Sequence, residues 1–302
     1  MRCPTLKDLP TPPAGKTGWP WTEESAPAPD LTPAGEPWPR ISIVTPSYNQ
    51  GAFLEETIRS VLLQGYPNLE YIVIDGDSVD ESVEIIRKYS PWLSYWVTEK
   101  DNGQAHAINK GFAQAQGTVF GWLNSDDYLF TDALIFVGNR FALITEPSVL
   151  VGEGDIVGQN GEFLRAIAVP ALDQESILAW EQMFLQQSCF WSARCWEREG
   201  GLDEDLHLLL DVDLWVRFSR RYTFVAERVK LGALRWYPDA KTVKHRARGF
   251  AERVLLDIRY GKAERGLRRI EHAMEKCYEQ QSLTTDLMKK FPLRVLRRFG
   301  LI

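Results

Sequence analysis

Cysteine is scarce in this chain: four among 302 residues, at Cys3, Cys189, Cys195 and Cys277. They form no CxxC pair and no metal-ligand spacing, which excludes a cysteine-built metal site. Cys189 and Cys195 sit among apolar and aromatic neighbours and read as reduced core thiols, the usage expected of a cytoplasmic protein. No apolar run reaches the roughly 20 residues that span a bilayer. The N-terminus has an early Arg but no apolar stretch behind it, which predicts no secretory signal. Positive charge is not in excess either. Lys and Arg number 35 against 41 Asp and Glu, a net charge of −6. That disfavours binding nucleic acid through the whole surface.

What is present is the balance of a soluble globular protein, 44% apolar and 25% charged,. A chain this long buries a core large enough to carry a deep pocket. Tryptophan stands out at 11 residues. Such rings stack on sugars and bases, but core filling is the commoner use and is expected of most of them. Residues 1–40 are rich in Pro, which forbids regular helix and sheet ladders and predicts an irregular arm. Trp19, Trp21 and Trp38 are expected to pack parts of that arm on the domain.

After residue 40 the pattern changes. Ile41 to Thr45 and Glu70 to Asp75 are β-branched runs that read as buried strands. "LSYWVTE" and "TVFGWLN" read as two more. Phe53 to Leu63 and Gln104 to Ala115 have helical spacing. Ser78 and Glu81 have capping-box spacing, which predicts a helix starting after Ser78 and running to about Tyr89. This alternation implies parallel strands joined by right-handed crossovers, hence an α/β fold. Ligands bind such sheets beyond the carboxyl ends of the strands. The polar loops "PSYNQG", "DGDSVD", "EKDNGQ" and "NSDD" all follow strands and should converge on one edge. Farther on, Asn160-Gly161 predicts a hairpin, "QQSCFWS" a strand, and "DVDLWVRFSRRY" an amphipathic helix with Leu214, Trp215 and Phe218 inward. From Phe250 onward the chain reads as helical.

Three acidic groups stand where chemistry could use them. Asp75 ends a strand and can accept hydrogen bonds from a base or a ribose. Asp80 suits the following helix N-terminus, and Asp77 suits either a solvated turn or a share in binding. In Asn124, Ser125, Asp126 and Asp127, one or two carboxylates could hold a divalent cation whose shell is completed by phosphates and water. Asp213 fits helix N-terminal charge complementarity. Asp211 follows an apolar stretch and could serve as general base toward an acceptor hydroxyl. Lone His106 reads as structural, whereas His207 lies nearer the presumed acceptor.

The segments "ISIVTPSYNQGAFLEETIRSVLLQGYPNLEYIVIDGDSVDESVEIIRKY", "EKDNGQAHAINKGFAQAQGTVFGWLNSDD" and "QQSCFWSARCWEREGGLDEDLHLLLDVDLWVRFSRRY" resemble, in order, those of family 2 glycosyltransferases. The resemblance covers about residues 41–245. It implies a GT-A (Rossmann-like) fold, with a mostly parallel central sheet flanked by helices and a helical C-terminal extension. It also implies inverting transfer of a sugar from a nucleotide-diphosphate donor. It places Pro46 and Tyr48 at the nucleotide base, Asp75 as the base-binding carboxylate with Asp77 near it, and Gly103 and Gln104 along the nucleoside. Many relatives carry a second Asp where this chain has Gly76. "NSDD" takes the place of the DxD motif, making Asp126 the ligand of Mn²⁺ or Mg²⁺, with Asn124 and Ser125 beside the donor. Asp211 falls at the catalytic base, preceded by Leu210 where an acid is usual. Relatives often have His near "LRWYPDAKT", where this chain has Tyr237. The processive motif QxxRW is absent, implying one sugar per acceptor.

The expected organisation is therefore an arm over 1–40, a transferase domain over 41–248 and a helical extension over 249–302. The domain divides into a nucleotide-sugar half (41–150) and an acceptor half (151–248). The donor would be a UDP-, GDP- or dTDP-sugar, and the acceptor a saccharide or lipid-linked saccharide of surface polysaccharide or glycolipid assembly. No nucleic acid is expected as partner. The basic, apolar segment 289–302 suits either a docked helix or peripheral contact with the cytoplasmic membrane face. Two other readings compete: a sugar nucleotidyltransferase, whose Gly-rich basic loop "TPSYNQG" does not match, and a non-catalytic nucleotide-sugar binding module.

Overall fold

The computed structural model describes residues 1–170, 172–179 and 184–279. The chain divides into two compact units, Met1–Arg246 and Ala247–Ile302.

The first unit begins with the four strands read from the sequence. They are β1 (Ile41–Ser47), β2 (Leu69–Asp75), β3 (Tyr95–Thr98) and β4 (Val119–Trp122), with α1 (Gly51–Leu62), α2 (Ser82–Tyr89) and α3 (Gln104–Gln114) between them. Every residue of β1, β2 and β4 is buried. A strand covered on both faces has no solvent side, so these strands carry apolar runs rather than alternation. β1 pairs in parallel with β2 and β4, and β2 with β3. The register sets Ser47 beside Asp75 and Asp75 beside Thr98. The strand ends therefore line up, and the polar loops that follow them meet on one edge, as expected. Helix α3 lies close on this sheet at Gly111, where an added Cβ would meet Val44 Cγ1 at 2.4 Å.

The expected start of α2 is displaced. The helix begins at Ser82, because the Ser78 hydroxyl is engaged instead by the Asp75 carboxylate and the Asn49 amide.

Beyond β4 come β5 (Tyr128–Leu129), α4 (Ala133–Leu143), β6 (Ser148–Val157), β7 (Phe163–Ile167) and α5 (Gln174–Ala179). They are followed by β8 (Cys189–Ser192), α6 (Ala193–Glu199), α7 (Leu210–Ser219), β9 (Thr223–Arg235) and the short α8 (Lys241–Lys244). The sheet runs β3-β2-β1-β4-β8-β6-β9-β5, with β7 on β6. It is parallel through its first four strands and mixed beyond, since β8, β7 and β5 pair antiparallel. Asn160 and Gly161 turn the β6–β7 hairpin, with Gly161 at φ +86°. Leu214, Trp215 and Phe218 face inward as read. Trp122, Trp191, Trp196 and Trp215 are buried around Phe112 and Phe218, with the Trp122 and Trp215 rings nearly parallel at 7°. Core filling is thus the use made of these rings.

The Pro-rich arm is irregular but fixed. Trp21 and Trp38 are buried with Cys3, Leu9 and Ala28, and the Trp19 indole donates to Leu129 O. Arg59 of α1, wholly buried, donates to the carbonyls of Pro10, Pro20 and Trp21 and to the Tyr89 hydroxyl. One guanidinium thereby satisfies three carbonyls that a proline-broken backbone cannot pair with itself. Burial raises the thiol pKa values of Cys3, Cys189 and Cys195, to about 12 for Cys3 and Cys195, so these thiols are inert,.

In the second unit α9 (Arg246–Arg259) breaks at Gly261, φ +76°, before α10 (Ala263–Glu279). The buried Asp257 carboxylate joins the two, accepting from Arg265 at 2.8 Å and Arg269 at 2.8 Å. No helix among the described residues is long and apolar enough to cross a membrane. The segment 289–302 lies outside the described residues.

Candidate active site

The loop after β1 and the loop after β2 are stapled to one another. Asn49, at φ +52°, donates its N–H to Ser78 Oγ and accepts from Val79 N–H. Asp80 accepts from Gly51 N–H at the start of α1 and from Ser82 N–H at the start of α2. One carboxylate thus serves two helix N-termini, the structural role read for it. An added Cβ at Gly51 would meet Glu81 Cγ at 2.4 Å, so a side chain there would displace Glu81 from the helix entry. Pro46 is buried in β1, while Tyr48 is 64% exposed, leaving its ring face open.

Asp75 is wholly buried. Its carboxylate accepts from Ser78 N–H (2.9 Å), Ser78 Oγ (2.6 Å) and Thr98 Oγ1 (2.8 Å). It ties the loop after β2 to the end of β3. Asp77 is exposed, in the left-handed region at φ +68°.

Gly103 sits at φ +114°, a conformation that favours glycine, and donates to Asp101 Oδ1 at the entry to α3,. Gln104 then reaches across the edge. Its amide donates to Asn124 Oδ1 at 2.7 Å, and its carbonyl accepts from Lys241 Nζ at 2.7 Å.

The loop after β4 is pinned from below by Thr57, whose hydroxyl contacts the carbonyls of Ser125 and Asp127. The two neighbouring carboxylates differ in what surrounds them. Asp127 is buried; Oδ1 accepts from Arg235 N–H and Oδ2 from Asn124 Nδ2 and Gln187 Nε2. Burial, and then the charge of Asp126, push its pKa up to about 8,. Asp126 is half-buried, and Oδ2 accepts from the Tyr237 hydroxyl at 2.8 Å. Burial raises its pKa too, opposed by Tyr237, Arg235 and Lys241. Oδ1 of Asp126 accepts no hydrogen bond from any other described residue.

Arg235, at the end of β9, fixes this loop. Its side chain, 2% exposed, donates to the carbonyls of Asp126 and Gln159 and pairs with Glu56 at 3.1 Å. It also lies over the Phe53 ring at 5.0 Å. Arg235, Gln187, Lys241 and Asp101 went unnoticed in the sequence. Arg235, Gln187 and Lys241 find their partners 60 to 179 residues away along the chain, which no local pattern shows. The sequence singles out Tyr237 where relatives often have His, but gives no sign of its bond to Asp126.

Asp211 lies half-buried in the first turn of α7, with Oδ1 accepting from Val212 N–H. Leu210 beside it is buried. Asp213 is structural, held by Arg217 at 2.9 Å while that guanidinium also caps the carbonyls of Glu199 and Gly201. The rings of His207 and His245 meet edge to face at 5.3 Å. Hydrogen bonds link the loops after β1 to β4 to one another.

The residues present fit a divalent metal in a limited way. Of the two carboxylates in the acidic loop, Asp127 has both oxygens bonded, whereas Asp126 is bonded to another side chain only through Oδ2. No cluster of three or more His, Cys, Asp or Glu among the described residues could hold an ion alone. This suits a metal that completes its shell with phosphates and water.

Residues 42–142 match the sequence profile described as Glycosyl transferase family 2. A Mycobacterium tuberculosis protein named an uncharacterized glycosyltransferase is 30% identical over 183 residues, covering 59% of this chain and 68% of its own length. A Rickettsia prowazekii protein of the same description is 27% identical over 60% of this chain; the chain spans only 59% of that relative's length. Among solved structures, S. aureus TarS in complex with UDP-GlcNAc superposes with a TM-score of 0.57 at 15% identity, covering 84% of this chain and 77% of that one. The mannosyltransferase PcManGT from Pyrobaculum calidifontis, in complex with GDP-Man and Mn2+, gives 0.55 at 22% identity over 84% of this chain and 72% of its own. The fold is GT-A, as expected. With the profile lying over the donor-side loops and the Mycobacterium relative extending past them, the chain belongs to glycosyl transferase family 2.

Proposed function

We propose that this chain transfers a sugar from a nucleotide-diphosphate donor to an acceptor hydroxyl with inversion at the anomeric carbon. The observation that carries this reading is the donor-side edge. Four strand-end loops are cross-bonded into one rigid floor, yet Asp126 keeps an oxygen open on it. The similar folds bound to UDP-GlcNAc and to GDP-Man support a nucleotide-sugar donor.

Pro46 and Tyr48 would flank the base, with Asp75 holding the pocket floor and Asp77 at its rim. Gly103, Gln104, Asn124 and Ser125 would line the nucleoside and the diphosphate. Asp126 would hold Mn²⁺ or Mg²⁺. Such an ion, when bound with the donor, neutralises charge on the departing diphosphate. The protein's own part is positioning: Arg235 and Tyr237 hold Asp126 so that little reorganisation is needed during transfer. The acceptor oxygen attacks the anomeric carbon as the bond to the diphosphate oxygen breaks, and Asp211 takes the hydroxyl proton. The acceptor would be a saccharide or lipid-linked saccharide, and 289–302 would contact anionic lipid through its Lys and Arg. Vesicle sedimentation should weaken when that segment is deleted; equal sedimentation refutes the contact.

The test of the donor site is Asp126→Ala. Donor binding measured by calorimetry should lose its dependence on Mn²⁺, and turnover should vanish. Full activity of the variant, or of the wild type in excess chelator, contradicts the assignment. Tight donor binding with no turnover on any acceptor would favour the non-catalytic module.

A further inference from the structure

Among the described residues Trp236 is the only exposed tryptophan, at 42%. It follows directly on β9. Its backbone N–H donates to Val157 O at 2.7 Å, which extends the pairing with β6 by one residue. Its indole N–H donates to no described residue, and no described aromatic ring packs on it. A large apolar ring held in water gains when a matching surface covers it.

The neighbours of Trp236 fix where it stands. Arg235 donates its backbone N–H to Asp127 Oδ1 and its Nε to the Asp126 carbonyl. Tyr237 donates its hydroxyl to Asp126 Oδ2. The indole is therefore carried on backbone gripped on both sides by the acidic loop. Arg235 and Tyr237 both turn toward α1, where each meets Phe53. Side chains alternate along a strand, so Trp236 leaves by the other face of the sheet. In β1, Ile41 and Ile43 pack with Leu54 and Ile58 of α1, whereas Val44 meets Gly111 of α3. Trp122, beside Val44 in register, stacks on Trp215 of α7. The face away from α1 is thus the one that carries α7, the helix of Asp211.

An indole face takes a flat apolar surface. A pyranose ring supplies one, because its hydroxyls lie at the rim and its axial C–H bonds leave a ring face apolar. A rim hydroxyl can also accept from the indole N–H. An open-chain polyol has the hydroxyls but no such face.

We propose that Trp236 is the acceptor platform, on which a pyranose ring stacks beside the acidic loop and on the Asp211 face of the sheet. The proposal rests on the sugar-transfer reading above and narrows its acceptor to a ring sugar. It is tested by saturation-transfer NMR of the full chain with UDP or GDP and Mg²⁺. The probes are methyl β-D-glucopyranoside, methyl N-acetyl-β-D-glucosaminide and glucitol. In the wild type a glycoside should receive saturation mainly on the axial protons of one ring face, and glucitol should receive none. Trp236→Ala should raise the Kd of that glycoside about tenfold, and Trp236→Phe should recover most of the loss. Nucleotide affinity, read by calorimetry, should be the same in all three proteins. An unchanged glycoside Kd in Trp236→Ala overturns the proposal, as does glucitol binding as tightly as the glycosides, or a wild type that binds neither glycoside. A parallel loss of nucleotide affinity in Trp236→Ala also overturns it, since Trp236 would then only hold Arg235 and Tyr237 in place. In each of these cases the donor reading stands. A wild type that binds neither UDP nor GDP overturns that reading and the proposal with it.

Discussion

At Asp127 three donors meet one buried carboxylate, the backbone of Arg235 and the amides of Asn124 and Gln187. The group still titrates high, at about 8 against 3.8 when unperturbed, because burial and Asp126 outweigh those bonds. Between these values the folded state keeps a proton that the unfolded state has released. Stability should therefore fall as pH rises from about 4 through about 8. Urea unfolding across that range should show the decline in the wild type and a flatter profile in Asp127→Asn. An equal slope in both would locate the effect elsewhere. Asp75 shows the opposite balance. Asp75→Ala would leave the Ser78 amide and the hydroxyls of Ser78 and Thr98 without their partner. A loss of about 3 kcal/mol is expected in chemical denaturation; an unchanged midpoint would mean that water replaces the carboxylate. The sequence marked Asp75 as special because it ends a buried strand. It could not show that both oxygens are taken, since Thr98 becomes its neighbour only through strand pairing.

Among the elements, those with local causes were legible. Buried parallel strands need apolar β-branched runs, so β1 and β2 could be read directly, and the Asn160-Gly161 turn announced its hairpin. The start of α2 was misplaced because a capping-box spacing cannot tell whether its serine is already engaged, here by Asp75. The attachment of the arm is legible through Trp19, Trp21 and Trp38, which pack it on the domain, but not through its polar anchor. Arg59 lies on a helix whose spacing gives no sign that a guanidinium is buried there. Its bonds to Pro10, Pro20 and Trp21 span 38 to 49 residues of sequence. Arg59→Met removes these donors and leaves buried carbonyls unpaired. It should cost roughly 3 kcal/mol or more and expose residues 1–38 to limited proteolysis. Resistance equal to that of the wild type would show that the apolar contacts of Trp21 and Trp38 hold the arm by themselves.

For the molecule as a whole, one sheet carries both halves of the proposed reaction. The donor-side loops leave the ends of β1 to β4. Asp211 begins a helix whose Trp215 stacks on Trp122 of β4, the strand that leads into the acidic loop. The most direct measurement is NMR of the reaction with an α-linked UDP- or GDP-sugar, Mn²⁺ and a saccharide acceptor. It follows the anomeric proton of the product in the wild type and in Asp211→Asn. The product should be β-linked, and the variant should turn over about 10²-fold or more slowly while binding donor as tightly. An α-linked product, or near-normal turnover by Asp211→Asn, would contradict the proposed displacement and its base.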